Sequence, residues 1–272
     1  CPIGDFFNRQ NEQICTLRGA STACWTTQCS QTGWPEKVYQ NVRYVRQRVL
    51  GRVPEGLKCV IFVSRFSQSK LSHYLATDAR QHVVGNPIDF PQPPRRTLRE
   101  DSPLVYIGRL QSVKDPVLAA RAAREMGVPI TFVGDGELKD EVLQANPEAK
   151  ITGWVGPEEV RRNLSEARGL LFPSRWYEGQ PLATLEAVAY GVPVFCSATC
   201  AGSEVVEDYG AGVTFPAQNL EAVVASVRPL LEPSRNEEIS RAAYDAFWSN
   251  PPTLARNTAE TLSVYRQFPA YQ

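Results

Sequence analysis

The sequence predicts an α/β protein: a doubly wound parallel sheet, preceded by a smaller and less regular α/β region. Three observations carry that expectation. From residue 103 onward short apolar runs alternate with helical runs, and strands joined by helices pair in parallel through right-handed crossovers. Before that rhythm begins, the stretch Phe90-Pro91-Gln92-Pro93-Pro94-Arg95-Arg96 interrupts the chain and can join neither a helix nor a central strand. The charge balance changes sign at the same place. The 272 residues carry 29 basic and 29 acidic side chains, yet residues 1–100 hold 14 basic against 7 acidic and residues 101–272 hold 15 against 22. A composition of 43% hydrophobic and 21% charged residues excludes a disordered tail, a collagen-like repeat and a small disulfide scaffold.

Each element has its own local reason. Residues 1–35 show no sustained period and read as irregular. Residues 36–52 read as a helix with Val38, Val42, Val45 and Val49 on one stripe and Arg43, Arg46, Arg48 and Arg52 off it. Cys59 to Val63 is an apolar run of strand length. Ser64 to Ser67 supplies hydroxyl caps for a helix to about Ala76, and His82-Val83-Val84 reads as a short strand. Further strands are expected at 104–107, 130–133, 149–152, 169–172, 192–195 and 211–215. Helices are expected at 115–126, 137–145, 157–167, 181–190 and 218–231, then at 235–248 and 253–267. No stretch approaches the 18 apolar residues of a membrane span. The chain opens on Cys1, its only methionine is Met126, and no charged leader with an apolar core is legible.

The seven cysteines are odd in number and irregularly spaced, which points to reduced thiols and a cytoplasmic protein. Cys1, Cys15, Cys24 and Cys29 lack the close C-x2-C pairs of a recognisable zinc site. Free thiols or one local disulfide are expected there, and no metal.

The chemistry is expected at the carboxyl ends of the strands, where ligands of doubly wound sheets bind. Gly108-Arg109-Leu110 follows the strand at 104–107, with Lys114 five residues beyond Arg109; two cations beside a glycine could grip a diphosphate. Gly134-Asp135-Gly136 is a turn that on its own identifies nothing. Trp154, after Gly153, could lie beside a nucleotide base or be a partly buried packing residue. The segment Phe172-Pro173-Ser174-Arg175-Trp176-Tyr177-Glu178-Gly179-Gln180-Pro181-Leu182 leads from a strand into a helix, with Pro181 suited to the first turn. Amides at that helix start form a natural anion site, flanked by Glu178 in the loop and Glu186 on the helix. Acids beside a phosphate pocket suit neutral sugar hydroxyls.

These motifs together resemble glycosyltransferase family 4, the retaining nucleotide-sugar (group 1) transferases of the two-Rossmann GT-B fold, over roughly residues 55–230. Glu178 and Glu186 match the family's Glu-x7-Glu motif. Gly108, Arg109, Leu110 and Lys114 match its Gly-Arg-Leu…Lys element. Gly134 to Gly136 match its Gly-x-Gly turn, and Gly202-Ser203-Glu204 its later glycine-then-Glu element. Val63 to Ser67 and Gly85 to Asp89 look like the segments that end the acceptor domain.

The resemblance implies a GT-B chain with a complete donor domain and part of an acceptor domain. Residues 1–90 would be the partial acceptor-side domain and 91–102 a linker. Residues 103–250 would be the nucleotide-sugar donor domain, and 251–272 a C-terminal helix able to cross back to the first domain. Arg109 and Lys114 would neutralise the donor diphosphate, helped by amides around Gly179, Gln180, Pro181 and Leu182. Gly108 and Gly134 would let backbone approach the donor closely. Glu186 would hold the ribose hydroxyls and Glu178 the donor sugar, so Arg109, Lys114 and Glu178 are the expected catalytic residues. The implied donor is a UDP- or GDP-linked sugar and the acceptor a saccharide or a lipid-linked molecule. No Asp-x-Asp occurs, which suits a metal-independent, cofactor-free transferase.

The chain also departs from the family. Gln180-Pro181 stands where an aromatic residue and a glycine are common, and Pro181 has no amide hydrogen. Family members run further upstream, through a glycine-rich loop and a histidine that reaches the donor sugar; Cys1-Pro2-Ile3-Gly4 resembles the stretch just after that histidine. His73 and His82 lie in other segments and are expected to pack. Because of this, a non-catalytic nucleotide-sugar binding module and a nucleotide-sugar hydrolase or epimerase are alternatives. The helix at 36–52 would either pack through its valines, which is the expectation, or contact the inner face of a membrane. No stacking platform accompanies the basic residues, so nucleic acid is not an expected partner.

Overall fold

The computed structural model describes residues 1–268 apart from positions 3, 5, 9, 12, 31 and 32. Ile3, within the Cys1–Gly4 stretch, lies outside them. The chain forms two compact units, Cys1–Val83 and Val84–Gln272. The division falls before the proline-rich stretch expected to be a linker, and residues 91–102 belong to the second unit. Arg96 explains why. Its buried guanidinium donates to the Gly191 carbonyl (3.0 Å) and to Asn236 Oδ1 (2.7 Å), and the Arg96 amide donates to the Tyr190 carbonyl. A stretch clasped in this way is packed structure rather than a spacer, and burial holds the Arg96 pKa down to about 10.

In the first unit, β1 (Phe7–Asn8) and β2 (Gln13–Ile14) pair antiparallel, followed by α1 (Thr22–Thr26) and α2 (Trp34–Gly51). Next, β3 (Cys59–Phe62) pairs in parallel with β4 (Arg80–Val83) across α3 (Arg65–Leu71). Ser64 and Ser67 cap α3 reciprocally, but the α-helix stops at Leu71 rather than near Ala76 and tightens into a 3-10 turn at Ser72–Tyr74. The structure reverses the expectation for α2. Its buried residues are Lys37 and Asn41, while Val38, Val42, Val45 and Val49 are all exposed, Val49 by 69%. The helix packs by its polar side because α1 and the stretch after it present Cys24 and Cys29 to Lys37.

The second unit holds a six-stranded parallel sheet. Its strands are β5 (Leu104–Ile107), β6 (Ile130–Val133), β7 (Lys150–Ile151), β8 (Gly169–Phe172), β9 (Val194–Ser197) and β10 (Gly212–Phe215). Between them run α4 (Pro116–Met126), α5 (Lys139–Ala145), α6 (Pro157–Ser165), α7 (Leu182–Ala189), α8 (Gly202–Tyr209) and α9 (Leu220–Val227). Helices α10 (Pro233–Ser249) and α11 (Leu254–Tyr265) follow. No helix is expected from the sequence at α8, whose eight residues lack a side-chain N-cap. The order across the sheet is β10-β9-β8-β5-β6-β7, so the chain steps outward from β5 to one edge and returns to β8 to build the other. Successive side chains alternate between two cores, as the period of a strand requires. Leu104, Tyr106, Leu171 and Phe195 face one; Val105, Leu170, Phe172 and Val194 face the other.

Arg168, just before β8, ties the segment preceding β5 to the end of the 3-10 turn Arg228–Leu231. Its guanidinium donates to the carbonyls of Arg99, Glu100, Ser102 and Leu231 at 2.6 to 3.2 Å. Replacing it with alanine is expected to lower stability by about 3 kcal/mol, because buried carbonyls lose their donors. Thermal unfolding should show a drop of roughly 10 °C; an unchanged midpoint would contradict this role.

Candidate functional site

The order in which strands are added to the sheet reverses between the parallel neighbours β5 and β8, and loops leaving adjacent strands on opposite sides open a crevice there. Lys114 ends the 3-10 turn Ser112–Lys114 that follows β5, and Glu178 lies in the loop that follows β8. The two meet in this crevice, with Lys114 Nζ 2.7 Å from Glu178 Oε1 and side chains only 17% and 12% exposed. Lys114 also lies over the Phe172 ring at 5.6 Å. The Ser174 hydroxyl donates to the same Glu178 oxygen (3.0 Å), and the Ala201 amide donates to the Glu178 carbonyl (3.2 Å). Thr199 Oγ1 in turn donates to the Ser174 carbonyl (3.0 Å). The loops after β5, β8 and β9 are therefore stitched together around one cation–carboxylate pair.

A second pair lies beside the first. Arg175 Nε is 3.0 Å from Asp115 Oδ2, and the Arg175 amide donates to the Val113 carbonyl. Beneath them Tyr106, fully buried, donates to the Arg109 carbonyl (3.0 Å). Burial pushes its phenol well above the usual range, and the nearby charges of Glu178 and Asp115 push the same way. Ser174, Arg175 and Asp115 are not expected from the sequence as working parts. Their signal is adjacency: Ser174 and Arg175 share the loop with Glu178, and Asp115 follows Lys114.

Gly108 and Gly134 bring the ends of β5 and β6 together. Gly134 has φ +146°, and a Cβ there would lie 2.1 Å from the Gly108 carbonyl oxygen. The Gly108 amide donates to the Val133 carbonyl, and Gly134 forms an isolated bridge to Gly153. Arg109 is exposed beside this crossing, and its side chain has no ion pair among the described residues.

Around α7 the outcome is mixed. Pro181 is the N-cap and not part of the first turn, so the helix begins at Leu182, whose amide and that of Ala183 lead the helix. Pro181 costs no donor inside the helix, because the Thr184 amide bonds back to its carbonyl. The Gln180 side chain is occupied: its Oε1 accepts from the Asn86 amide, and the Asn86 side-chain amide reaches the Gln180 carbonyl. Gln180 thus fastens the Gly85–Asn86 segment, which Asn257 holds from the other side through the Gly85 carbonyl (2.8 Å). Gly179 lies between Glu178 and Gln180, half-buried. Glu186 is half-buried on α7; burial raises its pKa, and the Arg161 charge acts against that shift. Trp154 is 75% exposed beyond β7, which excludes the packing alternative.

A separate cavity, lined by Ser102, Thr131, Lys150 and Asn163 among others, opens at the amino ends of β5 to β7. It lies at the opposite edge of the sheet from the glycines and ion pairs. No described helix is long and apolar enough to cross a membrane.

The parallel strand order, with its switch point between β5 and β8, defines an α/β protein of the Rossmann-like class. Residues 101–233, within the second unit, match the family described as "Glycosyl transferases group 1". Among curated proteins, the chain is 26% identical over 255 residues to the O-antigen chain mannosyltransferase B of Escherichia coli, covering 83% of this chain and 64% of that protein. It is 24% identical over 278 residues to the GDP-mannose-dependent alpha-(1-6)-phosphatidylinositol monomannoside mannosyltransferase of Mycobacterium tuberculosis, covering 90% and 70%. The glycogen synthase of that organism is 28% identical over 195 residues, with 65% of this chain and 47% of the synthase covered. The chain thus spans about half to two thirds of the length of these relatives. Among solved structures, sucrose-phosphate synthase from Thermosynechococcus elongatus superposes with a TM-score of 0.72 at 18% identity, covering 84% and 63%. The S. aureus TarM structure with UDP superposes with a TM-score of 0.67 at 14% identity, covering 83% and 46%. The fold is of the GT-B type.

Proposed function

We propose that this chain carries the donor-binding half of a retaining glycosyltransferase. It would move a sugar from a UDP- or GDP-linked donor to a saccharide or lipid-linked acceptor. The observation that supports this most is the Lys114–Glu178 pair at the switch point between β5 and β8, beside the Gly108–Gly134 crossing. Breaking the bond between the sugar and the diphosphate concentrates negative charge on the leaving phosphate. Catalysis requires fixed positive charge at that place. Lys114 and Arg109 supply it, with the leading amides of α7. The acceptor hydroxyl attacks from the face the diphosphate leaves, and its proton passes to the departing phosphate oxygen. Glu178 contacts the donor sugar, Glu186 accepts from ribose hydroxyls, and Trp154 lies on the side of the base. The mannosyltransferase named for GDP-mannose and the TarM complex with UDP are the reason both bases are retained. No divalent ion is required in this scheme.

Calorimetry with UDP and GDP tests the site without knowledge of the acceptor. The chain is expected to bind one of them, and Arg109→Ala and Glu186→Ala are each expected to abolish the heat. Unchanged affinity in both variants would remove these residues from the site.

A membrane contact through α2 is a second part of the reading, favoured by its outward valine stripe with Arg46 and Arg48 nearby. Such a face suits an anionic lipid surface, where apolar burial and cationic attraction add. Flotation with phosphatidylglycerol vesicles should recover the protein, and the Val42→Glu/Val49→Glu double variant should not float. Equal recovery with neutral phosphatidylcholine vesicles would contradict the electrostatic part.

A further inference from the structure

Lys37, in the first turn of α2, is 1% exposed. Its Nζ lies 3.0 Å from Cys29 Sγ and 3.7 Å from Cys24 Sγ, and among the described residues it has no other side-chain partner. A buried amine is ordinarily matched by a carboxylate or by several strong acceptors. Thiol sulfur is a weak acceptor. The nearby Asn41 offers no relief, because its side-chain amide donates to the Lys37 carbonyl and its oxygen faces Cys24 Sγ. An amine held at this distance from a thiol is poorly explained by stability and well placed for chemistry.

We propose that Cys29 and Lys37 form an oxidative modification site, at which one oxygen atom bridges Sγ and Nζ. The reactant is a peroxide. A first peroxide oxidises the Cys29 thiol to a sulfenic acid and leaves as water. A second oxidises the amine nitrogen, so that the sulfenic oxygen bonds to Nζ and two more waters leave. Thiol, amine and two peroxides thus give the sulfur–oxygen–nitrogen bridge and three waters. Sulfur and nitrogen each lose two electrons, and the peroxides take up four. A direct sulfur–nitrogen bond is far shorter than the 3.0 Å gap, whereas a single oxygen spans most of it. Cys24 is the competing captor of the sulfenic acid, and its sulfur faces Asn41 Oδ1. The bridge ties Cys29 to α2 at a residue eight positions further along.

The test is treatment of the chain with hydrogen peroxide, alkylation of remaining thiols, tryptic digestion and mass spectrometry. No Lys or Arg lies between Arg18 and Lys37, so the expected product is the single peptide 19–43, bridged internally, with the gain of one oxygen and the loss of two hydrogens. It blocks cleavage after Lys37 and reverts with dithiothreitol. Cys24→Ser should retain the product; Cys29→Ser should lose it. A Cys24–Cys29 disulfide as the main product, Cys29 left fully alkylatable, or oxidation to sulfinic acid without a cross-link would each overturn the proposal. Mapping of the wild-type chain decides the matter even where a variant fails to fold.

Discussion

Lys114→Ala is expected to lower sugar transfer by about 10²–10³, the effect of removing one preorganised charge from a developing anion. The same variant should weaken binding of a free nucleoside diphosphate. Glu178→Gln should do the opposite to binding. Lys114 is held by Glu178, so a diphosphate must break that pair before it gains the ammonium. Removing the carboxylate charge frees Lys114, and UDP or GDP should bind roughly tenfold tighter, or about 1.4 kcal/mol. Transfer should nonetheless fall, because the charged contact to the donor sugar is gone. Calorimetry on both variants, with a transfer assay alongside, separates these effects. Weaker nucleotide binding by Glu178→Gln would show that the carboxylate helps the phosphate site instead of competing for its cation.

Gly134→Ala is expected to be a severely damaging single-methyl change in the second unit. Two costs combine at this residue. A φ of +146° is strained for any side chain, and the new Cβ would stand 2.1 Å from the Gly108 carbonyl oxygen. That oxygen belongs to backbone and cannot rotate away, so one of the two loops must move. A loss of about 3–5 kcal/mol and a fall in melting temperature of roughly 10 °C or more are expected. Because the displaced loop begins the Gly108–Lys114 element, nucleotide binding should be lost even below the melting transition. Normal affinity in a folded Gly134→Ala protein would mean that this close crossing does not shape the site.

Much of the second unit is legible in its hydrophobic pattern. The strands at Leu104–Ile107, Ile130–Val133 and Gly169–Phe172 are apolar on both faces, and a run buried on both sides can be recognised without knowing its neighbours. Other strands are harder: the interior strand β9 begins two residues later than expected, and the edge strand β7 is two residues long. Helix α8 escapes the pattern because its start carries no cap that a sequence displays. The Gly-Arg-Leu…Lys and Glu-x7-Glu spacings locate Lys114 and Glu178 but do not show that the two pair. That contact depends on β8 returning beside β5 after two other strands have been laid down. The role of Gln180 is hidden for the same reason: its partner Asn86 lies far away along the chain.

Residue order alone therefore establishes the parallel α/β architecture, the strand ends that bear polar residues, and the change of charge between the two parts of the chain. These are local or periodic properties, written in hydrophobic spacing and in the residue types that end strands and begin helices. Only the packed chain settles that Lys114 faces Glu178, that Arg96 turns an expected linker into packed structure, and that α2 buries Lys37 and leaves its valines outside. Those outcomes depend on which distant segment packs on a given face. A stripe of valines states only that a helix has two sides; its neighbours determine which side is covered.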